Sequence, residues 1–432
     1  MRKVLFIVYY FPPMGGSGVQ RPLKFARYLP DYNWQPVILA PNAGSYRSFD
    51  KSLQQELESL KLPVYRTGAD TPFHKFSSFT HKLASMPDFI QQWVRWASQW
   101  WYFPDSKKGW IEPAVEMGRQ IVENEAPEVI YATAPPFSNL IIGQKLQQET
   151  GLPLVLDFRD DWIDSHLQTH PTKKHRKKLV GLERGIISQS EAVIAINRTM
   201  LDGIHNRHAD LPDLPEFKVI TQGFDPADFK NNTAIEKDDN IWPAGKFNML
   251  YSGVFYDSNQ PDSFLKAVHQ LLESYPQYRG YLLLHFQGRL EHRHHQLINQ
   301  LNLTELVIDH GYVDHDIAVK NLGLADVLWL IANFEQNNKM VTTGKLFEYL
   351  GSSKPILGLV PEDGEAEFIL KKYGAGFSAK PQAIGITAEI LRQLIEKWKK
   401  DNLPVPDHSY VAEFARDSLA GELANVFTRL LD

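Results

Sequence analysis

The chain has no cysteine among its 432 residues. That excludes disulfides, thiolate nucleophiles and cysteine-ligated zinc together, and it fits a reducing, cytoplasmic setting. There is no uninterrupted apolar run of about 18 residues, the length a membrane-spanning helix needs. There is no excess of positive charge either. With 46 Lys and Arg against 51 Asp and Glu, the net charge of −5 has the wrong sign for a dedicated nucleic-acid binder. No Gly-x-Ser-x-Gly turn supports a hydrolase triad. His292, His294 and His295 cluster without the i, i+4 spacing of a helical metal pair, so they read as an exposed helix. No short period repeats, which removes solenoids.

What is present is an alternation of apolar strands and helical patterns. Apolar residues make up 43% and charged residues 22%, ordinary for a globular protein, and the length allows two or three domains. Residues 1–8 could be taken for the start of a signal peptide, but the apolar run is short and no small-residue cleavage site follows, so it reads as a first strand. Strands are expected over 4–10, 37–40, 63–66, 128–133, 152–158, 192–196 and 217–221. A Pro-rich stretch at 211–215 approaches a domain boundary. A second series follows over 249–252, 281–286, 306–309, 326–331 and 356–360, with Phe264, Leu265, Val268, Leu271 and Leu272 marking a helix between the first two. Residues 411–430 read as one amphipathic helix.

Four stretches carry chemistry. The first runs from Met340 to Ile356, a loop, a short helix and a turn into a buried strand. Thr342 or Thr343 can cap the helix, leaving backbone N–H groups around Gly344 and Lys345 free to meet phosphate. Glu348, one turn further in, can accept hydrogen bonds from two neighbouring sugar hydroxyls; alternatively it only complements the helix dipole. The second is Pro12-Pro13-Met14-Gly15-Gly16-Ser17-Gly18, a glycine loop suited to close backbone approach. It lacks the third glycine of a dinucleotide fingerprint and the Gly-Lys-Ser/Thr of a Walker loop. The third is Asp157, Arg159 and Asp160 at the carboxyl end of a strand, where α/β proteins bind ligands, or where Asp160 or Asp161 simply caps a helix. The fourth is a Trp-rich insert over 74–110, in which Phe89, Ile90, Trp93, Val94, Trp96, Ala97, Trp100 and Trp101 form a helical stripe. Such a stripe either packs within the domain or lies against a membrane or lipid-linked acceptor. The basic run at 173–178 reads as a solvated helix face, otherwise as a patch for anionic lipid or phosphate.

Taken in order, Phe11-Pro12-Pro13 with Gly15 and Gly16, Asp157-Phe158-Arg159-Asp160-Asp161-Trp162, Gln222-Gly223-Phe224-Asp225, and Lys345-Leu346-Phe347-Glu348-Tyr349-Leu350 followed by Lys354-Pro355-Ile356 resemble a glycosyltransferase of family 4. The resemblance covers most of the chain. It implies the GT-B architecture, an α/β fold of two Rossmann-like doubly wound parallel-sheet domains facing across a cleft. The domains would be 1–216 on the acceptor side and 217–408 on the nucleotide-sugar side, with a terminal helix over 409–432 crossing back. It implies transfer of a sugar from a nucleotide-diphosphate-sugar to a glycan or polyprenyl-linked acceptor, with retention and without a bound metal or cofactor, in surface polysaccharide or glycoconjugate synthesis. It also allows peripheral contact of 89–103 with the inner face of the membrane. The donor set expected from the residues and the resemblance together is Gly15, Gly16, Arg21, Gly253, Arg289, Thr343, Gly344, Lys345 and Glu348. Lys345 also stabilises the leaving group, Asp160 orients the acceptor hydroxyl, and Arg159 holds Asp160 or an acceptor phosphate.

The chain departs from the family pattern in three places. Met340 stands where the first Glu of a Glu-x7-Glu pair is usual, so sugar recognition passes to Glu335 or to backbone N–H groups near Thr343. Val254 stands for the usual Arg after the strand–Ser-Gly turn, and no Lys occurs among Asp257, Ser258 and Asn259, so Lys345, Arg289 and Arg21 are the candidate diphosphate cations. The histidine usual after the fourth strand is missing from Tyr131-Ala132-Thr133-Ala134-Pro135-Pro136. Two rival readings remain: a nucleotide-sugar epimerase on the same plan, and a protein that binds a nucleotide-sugar without turnover.

Overall fold

The structure is a computed structural model that describes residues 1–46, 48–69, 103–165, 170–230, 238–256, 258–332 and 338–432. It divides into two compact units, Met1–Thr221 with Leu419–Asp432, and Gln222–Ser418. The Trp-rich stripe from Phe89 to Trp101 lies outside the described residues, as do Asp257 and Glu335.

In the first unit the described strands are β1 (Arg2–Ile7), β2 (Trp34–Pro41), β3 (Val64–Thr67), β4 (Val129–Ala134), β5 (Leu154–Phe158), β6 (Ala192–Ala195) and β7 (Glu216–Val219). They form one sheet in the order β3-β2-β1-β4-β5-β6-β7, every neighbour parallel. β1 sits at the centre, with Leu5 opposite Val37 on one side and Ile130 on the other. Both faces of its stretch from Val4 to Ile7 are covered, which is why those residues are all apolar. Helices α1 (Ser17–Tyr28), α2 (Lys51–Leu60), α3 (Ile111–Glu125), α4 (Ser138–Thr150), α5 (Lys173–Ile187) and α6 (Arg198–His208) connect these strands. Val19, Leu23 and Ala26 of α1 are fully buried, and full burial of a Val or Leu side chain is worth about 1.5–3 kcal/mol.

In the second unit a short helix α7 (Pro226–Lys230) precedes β8 (Phe247–Ser252), α8 (Asp262–Ser274), β9 (Leu282–Gln287), α9 (His292–Gln300), β10 (Val307–Gly311), α10 (His315–Leu324), β11 (Val327–Ile331) and α11 (Gly344–Gly351). Then come β12 (Ile356–Leu359), α12 (Glu365–Lys372), β13 (Gly376–Ala379), α13 (Ile384–Lys399), α14 (His408–Ala412) and α15 (Arg416–Arg429). The sheet order is β10-β9-β8-β11-β12-β13, again all parallel. In both sheets the strand order reverses beside the first strand, and the loops at the carboxyl ends of the strands there form the natural ligand edge of a doubly wound sheet.

Three expectations need correction. β13 was not expected, because Gly376-Phe377-Ser378-Ala379 has little strand signal of its own; pairing with β12 makes it a strand. The terminal segment is two helices rather than one. At 413–415 the chain leaves the helix to bridge Phe224, whose N–H donates to the Phe414 carbonyl at 3.1 Å while Arg416 N–H donates to the Phe224 carbonyl at 3.0 Å. From Leu419 onward α15 belongs to the first unit, where Leu423, Val426 and Phe427 join the core beside Trp34. Finally, His294 is buried rather than exposed. Its Nδ1 accepts from Glu291 N–H at 3.1 Å and its Nε2 lies 2.9 Å from Gln260 Oε1, so it caps α9.

Candidate functional site

The carboxyl edge of the second sheet gathers most of the expected donor residues. After β8 the chain turns at Gly253 with φ of +127°, and after β9 at Gly288 with φ of +125°. The turns touch: a Cβ on Gly288 would come within 2.2 Å of the Gly253 carbonyl oxygen. Positive φ and this close approach both demand glycine. A Cβ on Gly253 would lie 2.3 Å from Lys345 Cε, so the lysine stem runs directly over the turn. Lys345 Nζ donates to the Tyr251 hydroxyl at 2.7 Å and to the Val254 carbonyl at 3.4 Å, and sits 4.5 Å from the Tyr251 ring centroid. The lysine of α11 thus places its cation at the very turn where Val254 supplies none. Burial lowers its pKa to about 8, against the pull of Glu348. Below it Tyr251 stacks on Phe255, with ring centroids 4.1 Å apart, and Tyr349 accepts a hydrogen bond from Ser252 N–H at 2.8 Å. Arg289 follows on the next turn, exposed.

Helix α11 forms because Leu346, Phe347, Tyr349 and Leu350 bury one face. It stops at Gly351, where a Cβ would come within 2.6 Å of the Phe224 ring, and Ser353 takes φ of +56°. Its N-terminal residue Thr343 has extended backbone geometry but makes no side-chain cap bond, contrary to expectation. Among the described residues the Thr342 and Thr343 hydroxyls are buried without a hydrogen-bond partner. Gly344 is exposed, with open space where a Cβ would be, so the first N–H groups of α11 have room for an anion. Glu348 is half-buried. Burial raises its pKa, while His315, Arg416 and Lys345 act in the opposite direction.

The first unit carries the remaining candidates at the carboxyl ends of β1, β4 and β5. Gly16 opens α1 with φ of +113°, and nothing lies within 4 Å of a Cβ built on it; at Gly15 a Cβ would sit 3.3 Å from that of Asp50. Arg21, expected to help meet a diphosphate, is instead spent inside the unit. Its guanidinium grips Asp157 with Nη2–Oδ1 at 2.8 Å and Nε–Oδ2 at 3.2 Å, and donates to the Ile220 and Thr221 carbonyls at 2.9 and 2.5 Å. Tyr131 and Thr133 hydroxyls each donate to Asp157 at 2.7 Å. Burial alone would raise the Asp157 pKa, yet Arg21 and these hydroxyls bring it below the ordinary carboxylate range. Arg159 is likewise a strut: it donates to the Ala134 carbonyl at 3.3 Å, the Pro135 carbonyl at 2.5 Å and the Gly18 carbonyl, tying two loops together. A phosphate would have to displace these bonds. Asp160 lies beside it, half-buried, and its charge acts on Arg159.

Sequence reasoning missed what holds this loop. Arg207 of α6 reaches Asp161 at 2.9 Å, Asp164 at 2.6 Å and the fully buried Glu183 at 3.0 Å, while His208 Nε2 lies 2.7 Å from the same Glu183. Partners 24 to 46 residues apart leave no local signal in the chain.

No family model matches the chain, and no curated protein sequence matches it. Solved structures do. The chain is similar to Anabaena HepE, solved in complex with UDP and glucose, at TM-score 0.62 and 16% identity over 99% of this chain and 100% of that one. A glycosyltransferase from Rickettsia africae aligns at TM-score 0.65 and 12% identity over 100% and 99%. A chain described as a UDP-N-acetylglucosamine 2-epimerase from Listeria monocytogenes aligns at TM-score 0.54 and 12% identity over 99% and 96%. At such identities the likeness shows the fold. The chain has the GT-B fold, two Rossmann-like domains on parallel sheets, and shares it with glycosyltransferases along its whole length.

Proposed function

We propose that the protein is a glycosyltransferase of the family-4 type, moving a sugar with retention from a nucleotide-diphosphate-sugar to a glycan or lipid-linked acceptor. The observation that carries the proposal is Lys345, laid across Gly253 onto Tyr251 at the mouth of α11, with Glu348 one turn behind it. This end offers a cation and free helix N–H groups to a departing diphosphate, and a carboxylate to ribose hydroxyls. Preorganised donors of this kind are worth about 3 kcal/mol each in a transition state. The exposed Arg289 is a second cation for the diphosphate, and the glycine turns at Gly253 and at Gly15 and Gly16 admit close backbone approach. As the anomeric carbon–oxygen bond to the phosphate breaks, the same carbon bonds to the acceptor oxygen, and the leaving phosphate takes the acceptor proton. Asp160 orients the acceptor hydroxyl, and Arg159 acts through the loops that frame it. No resident metal is needed in this scheme, because the protein's own cations and amides carry the charge.

The proposed setting is synthesis of a surface polysaccharide or glycoconjugate in the cytoplasm, with contact to the membrane through 89–103. No helix among the described residues is long and apolar enough to cross a membrane. The Listeria likeness keeps epimerisation as the competing chemistry on this fold. A thermal-shift screen of nucleotide-sugars tests the donor site, since a ligand at 100 times its dissociation constant adds about 2.7 kcal/mol. A panel of UDP-, GDP- and ADP-sugars that leaves the midpoint unmoved would refute it.

A further inference from the structure

The donor site makes no use of the basic run that opens α5. We propose that the outward stripe of this helix, formed by Lys173, Lys174, Lys177 and Lys178, is a docking surface for an anionic lipid bilayer. These lysines extend the membrane contact set out above and act independently of the donor site.

Thr172 caps α5, its hydroxyl accepting from His175 N–H at 3.1 Å, and the helix buries Leu179, Glu183, Ile186 and Ile187. The opposite side is left facing out. Lys173, Lys174, Lys177 and Lys178 are all exposed. Lys174, Lys177, Lys178 and Gly181 recur at helical spacing and so share one stripe. Gly181 is exposed too, and a Cβ built on it meets nothing within 4 Å, so no described element covers the stripe there.

As a merely solvated face this stripe is poorly built. A helix N-terminus favours acidic side chains, yet the first turn of α5 has none and carries Lys173 and Lys174 instead. Lys173 and Lys177, and Lys174 and Lys178, oppose each other at i, i+4 with like charge, which works against the helix. Cations nearby are matched: Arg119 with Glu149, Lys145 with Glu112, Arg184 with Asp210, and Arg176 of α5 itself with Asp164. Among the described residues Lys173, Lys174 and Lys177 have no ion-pair partner. A sheet of lipid phosphates supplies the missing counter-charge.

The position of Phe103 selects a bilayer over other polyanions. Its ring lies 4.2 Å from Lys178 Nζ and edge-on to His175, with ring centroids 5.7 Å apart. The Trp-rich stretch read from the sequence ends at Trp101, just before it. A segment whose tryptophans suit the wet boundary of a bilayer therefore enters the described structure against a helix whose lysines suit the headgroups. The net charge of −5 disfavours nucleic acid as the partner.

The test is co-sedimentation of the full chain with vesicles of phosphatidylcholine, alone or with about 30% phosphatidylglycerol, at about 0.1 M and about 0.5 M salt. The parent should prefer the anionic vesicles and leave them at the higher salt. Each lysine at such a surface contributes roughly fivefold to partitioning, so K173Q/K174Q/K177Q should bind roughly a hundredfold more weakly. Its denaturation midpoint should equal or exceed that of the parent, since like charges leave the helix start. K371Q/K380Q/K399Q removes the same charge from ion-paired sites of the second unit and should bind as the parent does. Equal binding by K173Q/K174Q/K177Q and the parent, an equal loss in both triple variants, or a parent indifferent to vesicle charge would overturn the docking surface. So would retention of the parent by a short single-stranded RNA but not by the vesicles. If W96A/W100A abolishes binding while the lysine triple keeps it, the contact belongs to 89–103 and the lysines have no part in it. Vesicle binding needs no nucleotide, so a chain that takes up anionic vesicles through these lysines but binds no nucleotide-sugar upholds the docking surface and refutes the donor reading.

Discussion

Replacing Lys345 with Met keeps most of the side-chain volume and removes the charge. In the structure this ammonium has one short hydrogen bond, to Tyr251 at 2.7 Å, one long one, to Val254 at 3.4 Å, and an aromatic face 4.5 Å away. If it serves the diphosphate, K345M should lose one charge-assisted contact, about 1.5–3 kcal/mol, which is roughly a tenfold to 150-fold weaker dissociation constant. The proton dependence is more discriminating than the size. Burial holds the Lys345 pKa to about 8 in the free protein. A phosphate ester is fully ionised well above its second pKa of about 6, so the diphosphate keeps its charge between pH 7.5 and 9.5, and the uracil imide, which begins to ionise toward the top of that range, does so alike for K345M and parent. Affinity for UDP should therefore fall with pH above about 8, approaching tenfold per unit, and K345M should show no such slope. Stability moves the other way. The folded pKa lies below the ordinary value of 10.5, so the unfolded chain holds more protons between about pH 8 and 10.5, and the parent should gain stability across that window. Isothermal titration at five pH values, with a denaturation midpoint at each, measures both. Equal affinity in K345M and parent, or a flat parent profile from pH 7.5 to 9.5, would refute the reasoning.

Three further outcomes are expected. G253A would need a Cβ 2.3 Å from Lys345 Cε at a φ of +127°, so it should displace the lysine, reproduce the K345M binding loss and cost about 1–3 kcal/mol in stability by chemical denaturation. R21M leaves the buried Asp157 carboxylate uncompensated and should destabilise the fold by about 3–5 kcal/mol; a loss under 1 kcal/mol would contradict the structural role assigned to this pair. Because the folded Asp157 pKa is depressed, the pair's contribution in the parent is present above the unfolded carboxylate pKa near 3.9 and is lost as pH falls through the folded value. Treatment with EDTA followed by gel filtration should leave sugar transfer unchanged, and loss of activity restored by a divalent cation would sink the metal-independent scheme.

Much of this was legible in the chain because parallel strands buried on both faces announce themselves as short apolar runs. β1, β4, β5, β8, β11 and β12 lie within a few residues of where those runs placed them. Periodicity could not see the break before α15, since Val411, Phe414, Ala415 and Leu419 continue a helical spacing through it; the bridge to Phe224, nearly 200 residues away, makes the break. The site divides along the same line. The helix start at Gly344 and Lys345, with Glu348 one turn on, and the turn at Gly253 were legible because both have local signatures. Arg21 and Arg159 were placed on the correct edge, yet their side chains turn inward to Asp157 and to three carbonyls, and position on an edge does not reveal direction. His315 and Arg207 pair with Asp228 and Asp161 on other segments, which no spacing rule connects.

The most direct measurement follows a labelled sugar. The full chain is incubated with radiolabelled UDP-, GDP- and ADP-sugars and glycan or polyprenyl-linked acceptors, and the products are separated by charge. The account expects label to leave one nucleotide and appear on an acceptor, with free nucleoside diphosphate in equal amount. Label that stays on the nucleotide, whether as an epimerised sugar or unchanged while the ligand is bound, would contradict it.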